Sequence, residues 1–421
     1  MAILRYSIKC PGCSSNILLR LGVGIHEIQK FYFVCDHCTA VTKATLRITY
    51  PENPNDQQGV KWDLQLEEGE ICTAEHDTPD QILTLHPDFP SILNMTPNLE
   101  LDASQFLLQI RLMGGFDGLH NYQTRLKDFN YVIKSDWARI KRLITYYIEE
   151  RWVQFNTEGT RIFEEIWPQV DTAFARHDIF HRVVEMFFAP AQPNLQYPDL
   201  KAEYNKLFGE LFKEKPAEMQ SYVHNENVRK DLLQLQRGLL ERLAFFVDHF
   251  DALIPAFPIL FYTDKSRERL KHLRIIRDDF ELLKANYIEC FELLHKLLVF
   301  LIGLQNIYYR CNPDLFLDGK PSSLRAFKKL PNAEKAKRID EEVMPLLSAE
   351  WNHTMSSKVR NAIGHSNVRH ELRTGALLID NGDSVPYSEF VANSLYFLPL
   401  LLYGLQVIKM GLISATVYQN K

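Results

Sequence analysis

The sequence predicts a mainly α-helical protein with a small β module at its N-terminus. Apolar residues recur at helical spacing from about residue 101 onward, as in DWARIKRLITYYIEERWVQF. β-Branched and aromatic stretches such as NILLRLGV and KFYFVC surround four cysteines near the start. These patterns divide the chain into a cysteine-containing β module at 1–50, an acidic, proline-containing connector at 51–100, a central helical region at 101–260 and a C-terminal helical domain at 261–421.

Composition is that of an ordinary globular protein with more than one domain. The 421 residues are 46% hydrophobic and 24% charged, with a formal net charge of −5, so any nucleic-acid binding must use a local basic patch. No signal peptide is visible, and the most apolar stretches, 293–304 and 395–405, are shorter than the roughly 20 residues of a membrane span. We therefore expect buried helices, no membrane association and a reducing, cytoplasmic location.

Two CxxC pairs predict a metal site in the β module. CPGC supplies Cys10 and Cys13, and CDHC supplies Cys35 and Cys38. Four thiolates form the tetrahedral ligand set that Zn²⁺ prefers in structural sites. A redox CxxC is the competing interpretation, but it normally lies at a strand-to-helix turn of a βαβ unit, and no such pattern is visible. The 21 residues between the pairs slightly exceed the usual range of about 15–20, but they are filled by strand-like sequence. We therefore predict a zinc ribbon whose Zn²⁺ is structural, with no open position for catalysis.

Two further features of the sequence have alternative interpretations. The aromatic run Phe31–Phe33 in the ribbon could stack on bases, or it could form the ribbon's own core. His177 and His181 are four residues apart on a predicted helix, a spacing that can bind metal. No third ligand and no HExxH pattern accompany them, which favours a structural role for both histidines.

A basic run precedes the most polar stretch of the C-terminal region. Seven lysines and arginines occur between residues 320 and 338, with Glu334 near their end. Such a run is usually a solvated helix face, but its position favours contact with an anionic polymer. The candidates for RNA contact are Lys328, Lys329, Lys335 and Arg338, together with Arg369 and His370 further along.

The stretch KVRNAIGHSNVRHE, residues 358–371, collects groups suited to phosphoryl transfer. Asn361 and His365 are four residues apart and share a helix face. Gly364 predicts that the helix ends near His365, where a protonated imidazole is favoured. A histidine can move protons, Arg360 can hold a phosphate and Asn361 can orient it. The alternative is an ordinary solvated helix end. A hairpin signal at 380–383 and an apolar helix at roughly 387–413 follow.

Arg360, Asn361 and His365 match the R-N-x-x-x-H form of the motif that marks the HEPN superfamily, and residues 265–421 resemble its order of helix, motif, hairpin and helix. The resemblance implies a HEPN-like helical bundle and a metal-independent endoribonuclease that acts as a homodimer. It implies that His365 is the general base or acid, that Arg360 stabilises the pentavalent phosphorane and that Asn361 positions the reacting groups. The implied products are a 2′,3′-cyclic phosphate and a 5′-hydroxyl.

Several HEPN proteins act in antiphage defence or toxin–antitoxin systems, so the resemblance also makes a regulatory protein or antitoxin a candidate partner. The alternative function is a catalytically inactive HEPN-like protein that binds nucleotide, RNA or a partner and uses the ribbon as an adaptor. The presence of all three motif residues favours the enzyme, since an inactive copy has no chemical need for them.

Overall fold

The structure is a computed structural model that describes residues 3–51, 60–72, 79–92, 105–163, 167, 170–192, 196–264, 271–364, 368–379 and 382–417. The protein is 61% helical, with 14 α-helices among the described residues, small N-terminal sheets and a helical C-terminal region. The predicted mainly α fold class is therefore confirmed.

The described strands form four small sheets. The strands are β1 (Ile3–Lys9), β2 (Asn16–Gly22), β3 (Ile28–Val34), β4 (Val41–Thr49), β5 (Lys61–Leu66), β6 (Glu70–Cys72), β7 (Gln81–Leu85), β8 (Ser91–Ile92), β9 (Leu273–Arg274), β10 (Val368–Glu371), β11 (Ala376–Ile379) and β12 (Ser384–Pro386). Their orders are β6-β1-β2-β7, β3-β4-β5, β10-β11-β12 and β8-β9. All neighbouring pairs are antiparallel except β2 and β7, which are parallel.

The described helices range from four residues to 33. They are α1 (Gln105–Leu112), α2 (Phe116–Ile148), α3 (Trp152–Phe163), α4 (Ala173–Phe188), α5 (Gln196–Glu214), α6 (Pro216–Val223), α7 (Glu226–Asp248), α8 (Phe250–Leu253), α9 (Phe280–Arg310), α10 (Leu324–Lys328), α11 (Asn332–Ala336), α12 (Pro345–Thr354), α13 (Ser357–Gly364) and α14 (Tyr387–Val417). Two 3₁₀ segments, Ala189–Ala191 and Ile254–Phe261, follow α4 and α8.

The chain forms two compact units, each assembled from three separated segments. The first comprises residues 1–122, 249–284 and 362–395, and the second comprises 123–248, 285–361 and 396–421.

The core of the first unit lies between its two larger N-terminal sheets. Alternate residues of β1 and β2 pack with those of β3 and β4, because one face of each sheet is apolar. Leu64 of β5 and Leu85 of β7 belong to the same core. Parts of the segment predicted as a connector are thus strands of the N-terminal sheets. Phe31, Tyr32 and Phe33 are all buried, so they serve the core and are not available to stack on bases.

A three-stranded sheet at the C-terminal side of the first unit contains the predicted hairpin. Strands β11 and β12 pair antiparallel on either side of 380–383. Gly382 has a φ of 85°, a left-handed conformation that glycine adopts readily, while Asp380 and Asn381 lie outside the described residues. A second turn joins β10 to β11 with Gly375 at φ 68°. This turn was not predicted from the sequence, because RTG is a weaker hairpin signal than DNGD.

The second unit is a helical assembly with an aromatic and leucine-rich core. Helix α9 buries Leu294, Leu297, Leu298 and Leu301 on a face with helical periodicity. The two most apolar stretches, 293–304 and 395–405, are helical and mostly buried, as predicted. By length and composition, the part of α14 from Tyr387 to Ala415 could cross a membrane, and 89% of its apolar window is buried inside the protein. The bent pair of α7 with residues 250–261 passes the same test only if it is counted as one span.

Burial holds four histidines neutral in the folded protein. It lowers the pKa of His86 to about 3 and those of His177 and His295 to about 4, and it lowers the pKa of His181 as well. In an unfolded chain these groups titrate near 6.5, so acidification protonates the unfolded state first. We expect the free energy of unfolding to fall as the pH drops from about 6.5 to 4, by on the order of 3 kcal/mol for each histidine shifted to about 4.

Asp88 acts in the opposite direction, because burial raises its pKa to about 6 and proton binding there stabilises the folded state. Burial also raises the pKa of Glu203, but two such carboxyls do not offset four histidines. Thermal unfolding followed by circular dichroism at stepwise lower pH is the appropriate measurement. A Tm that stays constant or rises between pH 6.5 and 4 would contradict this assignment of neutral buried histidines.

Candidate metal centre and arginine cluster

The four N-terminal cysteines converge on one point. Their Sγ atoms all lie within 4.8 Å of one another, and all four thiols are free of disulfides. The Cys10 and Cys38 sulfurs are 3.5 Å apart, and those of Cys13 and Cys35 are 3.7 Å apart. A tetrahedral site with metal–sulfur bonds of about 2.3 Å has sulfur–sulfur edges of about 3.8 Å. The four residues (the metal site below) could therefore hold a metal ion, and their spacing is compatible with zinc.

Two turns with the same backbone hydrogen bonds bring the sulfurs together. In the turn between β1 and β2, the Ser14 N–H donates to the Cys10 carbonyl and the Cys10 N–H donates to the Ser15 carbonyl. The turn between β3 and β4 has the same two bonds. Here the Thr39 N–H donates to the Cys35 carbonyl, and the Cys35 N–H donates to the Ala40 carbonyl. Ser14 and Thr39 both have φ near 60°. The metal site thus joins two hairpins that belong to different sheets but share one core.

Two thiols of the metal site, those of Cys35 and Cys38, have pKa values shifted in opposite directions. Burial raises the pKa of Cys35, but hydrogen bonds from Ser15 and from the N–H groups of Cys38 and His37 outweigh it and lower the pKa to about 6. The Ala40 N–H lowers the pKa of Cys38, but desolvation and the neighbouring thiols raise it to about 12. Binding of a cation displaces the thiol protons, and the positive charge of the cation then offsets the repulsion among the four thiolates.

Gly12 lies against the opposite turn, so substituting it tests the metal site. A Cβ at Gly12 would lie 2.9 Å from Cys38 Sγ and 3.1 Å from Ala40 Cβ. Because the turn must shift to accept a methyl group, we expect Gly12→Ala to weaken metal binding by about tenfold or more. The metal content of purified protein and the rate of metal release to a chelator measure this effect.

Gly209→Ala is the matched control, since nothing lies within 4 Å of a Cβ at that helical position. We expect this variant to retain the metal and to be neutral or slightly stabilising, because alanine favours helix. Equal metal release from the two variants would show that Gly12 does not shape the site.

Arg360 and Asn361 lie on helix α13, which is amphipathic. Val359 and Ile363 are buried, whereas Lys358 and Asn361 are exposed. Arg360 lies between these two faces, with its side chain 31% exposed. The Ser356 carbonyl accepts the Arg360 N–H and the Ser356 hydroxyl accepts the Val359 N–H, which satisfies donors of the first turn.

Glu292 of helix α9 holds the Arg360 guanidinium. Its Oε1 accepts from Nε at 2.9 Å and from Nη2 at 2.6 Å. Arg360 Nη1 is 3.3 Å from the Asn361 side-chain oxygen. The side-chain amide of Asn332 on α11 donates to the other Glu292 oxygen at 3.1 Å, and Lys335 Nζ donates to the Asn332 side-chain oxygen at 3.2 Å. We refer to Arg360, Asn361, Glu292, Asn332 and Lys335 as the arginine cluster.

The arginine cluster holds two cationic side chains and one carboxylate, and it is not sealed from water. Burial raises the pKa of Glu292, and the Asn332 and Arg360 hydrogen bonds outweigh it and lower the pKa below its usual value. Burial lowers the pKa of Lys335, an effect that Glu292 partly offsets. Glu292 is 33% exposed and Arg360 nearly as much, so a ligand phosphate could compete with the carboxylate for the guanidinium.

The predicted site residues differ in their surroundings. His365, the proposed general base or acid, lies outside the described residues. Lys328 pairs with Asp231 at 2.7 Å and Arg338 with Asp318 at 3.0 Å. Lys335 is only 8% exposed. Lys329 and Arg369 are exposed, and neither has a carboxylate partner among the described residues.

His370 is enclosed within the first unit. Its side chain is 3% exposed, and its Nδ1 lies 2.8 Å from Asp278 Oδ1. The ring stacks on Tyr387 with centroids 3.9 Å apart. The His370 hydrogen bond lowers the pKa of Asp278 despite partial burial. In this arrangement His370 connects strand β10 to the segment that precedes α9.

Glu292 and Asn332 were not predicted from the sequence as site residues. A signal for Glu292 was present, since ECFELLHKLL places an acidic residue in a strongly apolar helix. Nothing in the sequence connects it to Arg360, which is 68 positions away. The cluster can bind and orient an anionic group through Arg360 and the Asn361 amide. No protein-family model matches this chain, and neither the curated proteins nor the solved structures contain a significant match.

Proposed function

We propose that this protein is a metal-independent endoribonuclease that cleaves RNA by attack of the ribose 2′-OH on the adjacent phosphate. The arginine cluster is the observation that supports this proposal best. An arginine of the R-N-x-x-x-H motif is partly exposed, oriented by a carboxylate and followed by an exposed amide. Such a group can stabilise the charge that develops on a pentavalent phosphorane.

The proposed roles follow the chemistry of each group. His365 takes the proton of the 2′-OH or gives one to the leaving 5′ oxygen. Arg360 binds the phosphoryl oxygens, and Asn361 positions the phosphate or the imidazole. Glu292 is a positioning residue, because its carboxylate fixes two nitrogens of the Arg360 fork. The products would be a 2′,3′-cyclic phosphate and a 5′-hydroxyl, and no step requires a divalent metal.

The proposed partners include RNA and a second copy of the chain, since in HEPN proteins two motifs commonly face each other across a dimer. Lys329 and Arg369 are the candidate RNA contacts with the fewest competing partners, because both are exposed. A cytoplasmic role in antiphage defence or as a toxin, held in check by a regulatory protein or antitoxin, would fit this activity.

We propose that the metal site holds a structural Zn²⁺. The four sulfurs and the two edge distances near that of a zinc–thiolate tetrahedron support this choice. A four-thiolate site leaves no position for substrate, so the ion would stabilise the N-terminal sheets and take no part in RNA cleavage.

One observation favours a second candidate, an inactive RNA- or partner-binding protein of the same type. Glu292 neutralises Arg360, so the guanidinium has a partner before any substrate arrives. The ion pair between Arg360 and Glu292 could stabilise the packing of α13 against α9 without any role in catalysis. Cleavage activity distinguishes the two candidates.

Incubation of total RNA with purified protein, in buffer without added divalent metal, tests the proposal. The product ends are analysed for 2′,3′-cyclic phosphates and 5′-hydroxyls. Such ends, absent from reactions with the His365→Ala variant, are the expected result. Binding of RNA without any cleavage would favour the inactive candidate. This outcome must hold for the dimeric as well as the monomeric protein, and also after a candidate partner is added.

A further inference from the structure

Two arginines lie side by side on the outward-facing side of the sheet β6-β1-β2-β7 (the outer face below). Side chains alternate along a strand, so Ile8, Ile17 and Leu19 pack into the core of the first unit while their neighbours face outward. Arg5 of β1 and Arg20 of β2 are direct cross-strand partners. Their Cβ atoms are therefore about 5 Å apart on the same side of the sheet.

The register extends this arrangement across three strands. Thr84 of β7 is the parallel partner of Arg20 and continues the row of the two arginines. The neighbouring row of the outer face, two residues along each strand, contains Ser7, Leu18 and Ile82. Ile82 is 51% exposed, and the other side chains of this row are half-buried. The outer face thus presents guanidinium, hydroxyl and aliphatic groups to solvent.

The positive charge of the arginine pair is not balanced. Neither Arg5 nor Arg20 has a carboxylate partner within the part of the chain that the structure describes, and the buried Nε of Arg20 has no hydrogen-bond partner there. Glu70 is the one acidic residue in these four strands, and it lies opposite Lys9 at the other end of β1. Like charges directly opposite each other destabilise a sheet, so an anion bound to the outer face would offset this cost.

A nucleic-acid backbone has the chemistry that the outer face would recognise. Its strand carries one negative charge for each nucleotide, so a single strand can neutralise both arginines. Guanidinium forks match the oxygens of a phosphate, and the hydroxyls of serine and threonine are common further donors to it. No aromatic side chain faces outward from these four strands, so the stacking platform that holds bases is missing. Contact with the backbone, independent of base sequence, is what remains.

We propose that the outer face around Arg5 and Arg20 binds the phosphodiester backbone of a single nucleic-acid strand. Each guanidinium donates to phosphate oxygens, and the release of counterions from the strand supplies affinity. Because the whole chain carries a net charge of −5, binding depends on this local pair of cations. The outer face belongs to the first unit and shares no residue with the arginine cluster, so this proposal does not rest on the proposed RNA cleavage.

The first experiment measures binding of a fluorescent deoxythymidine oligonucleotide to the full-length protein with verified metal content. This probe has no 2′-OH, so the proposed cleavage reaction cannot consume it. Fluorescence anisotropy gives the affinity at several salt concentrations. We expect Arg5→Gln and Arg20→Gln each to weaken binding about tenfold and to make the dependence of log affinity on log salt shallower by about 0.7, the contribution of one phosphate contact to a single strand.

Lys61→Gln is the matched control, since Lys61 is an exposed cation on β5 of the other N-terminal sheet. It removes the same charge from the same unit but not from the outer face, so we expect it to change the affinity less than about twofold. Equal losses in all three variants would show a general charge effect and would overturn the proposal.

Arg5→Glu separates binding from folding. This variant places opposite charges across from each other at Arg5 and Arg20, which stabilises a strand pair. The Tm should therefore be kept or should rise, while oligonucleotide binding falls by more than about tenfold. Unchanged binding by the folded variant would overturn the proposal.

Two further ligands identify the anion. Poly-glutamate at the same concentration of charge should displace the oligonucleotide poorly, and equal displacement would assign the outer face to an acidic protein segment and overturn the proposal. Uridine RNA of the same length, bound to His365→Ala protein so that it stays intact, distinguishes the two nucleic acids. Tighter binding of RNA than of DNA would assign the outer face to RNA, and tighter binding of DNA would assign it to DNA. A wild-type protein that cleaves no RNA would leave these binding results unaffected, so the two proposals fail separately.

Discussion

His365→Ala is expected to reduce RNA cleavage by about 10²- to 10⁴-fold, the contribution of a general acid or base. Binding of RNA should change far less, because the imidazole acts on a proton and carries little of the phosphate affinity. The measurement is the initial rate of cleavage of a defined RNA with the product ends determined, beside a direct binding assay. His120→Ala is the control, an exposed histidine on α2 that should leave the rate unchanged.

Two variants of Arg360, tested in the same assay, distinguish the contribution of its positive charge from that of its planar guanidinium. Arg360→Ala is expected to lower the rate by about 10²- to 10³-fold. Arg360→Lys keeps the charge but loses the planar fork that Glu292 holds through two nitrogens, so it should recover little activity. A cleavage rate that is unaffected by His365→Ala and Arg360→Ala would exclude this motif as the catalytic site.

Glu292→Gln tests the positioning role. The amide can still accept a hydrogen bond from Arg360, but it no longer neutralises it. If Glu292 positions Arg360 for catalysis, the rate should fall while RNA affinity is kept or increases. If the ion pair is only structural, both RNA affinity and rate should stay constant, and thermal stability alone should fall.

Cys35→Ser is expected to abolish metal binding and to unfold the N-terminal sheets. The reason is that binding of a structural zinc ion contributes about 10–16 kcal/mol, comparable with the whole stability of a domain. The Cys35 sulfur lies 3.7 Å from the Cys13 sulfur of the other hairpin. Its removal would therefore break the metal-mediated link between two turns that belong to different sheets. Elemental analysis, circular dichroism and limited proteolysis of the purified variant measure the outcome.

Cys72→Ser is the control for that experiment, since Cys72 lies on β6 and outside the metal site. This variant should keep its metal and its resistance to protease. Chelation of wild-type protein should reproduce the Cys35→Ser result and be reversed by added Zn²⁺. Metal-free wild-type protein with intact N-terminal sheets would contradict a structural role. Because chelation could unfold the protein, cleavage assays must be made on protein with a verified metal content.

The features that could be predicted from the sequence were those with a local pattern, namely the CxxC turns and the helices with regular apolar spacing. The pairing of two CxxC turns was predictable because each turn is local and their metal geometry is stereotyped, and the structure brings the four sulfurs together. The helices α9 and α14 were predictable because 3.6-residue periodicity is repeated along them. Their ends were less so. Apolar residues also recur at helical spacing just before Phe280, but the described residues there contain strand β9 and no helix between β9 and α9, since pairing with β8 outweighs local helix propensity.

By itself the sequence determined the mainly α class, the four cysteines that could hold a metal ion and the presence of an arginine and an amide on one short helix. Only the tertiary structure decided which side chains meet. Glu292 reaches Arg360 across 68 positions, and Asp278 reaches His370 across 92. The tertiary structure also buries Lys335, although the composition of the basic run at 320–338 suggests a solvated face. The physical reason is that periodicity reports which face of an element is apolar, whereas ion pairs and hydrogen bonds between elements depend on how those faces pack.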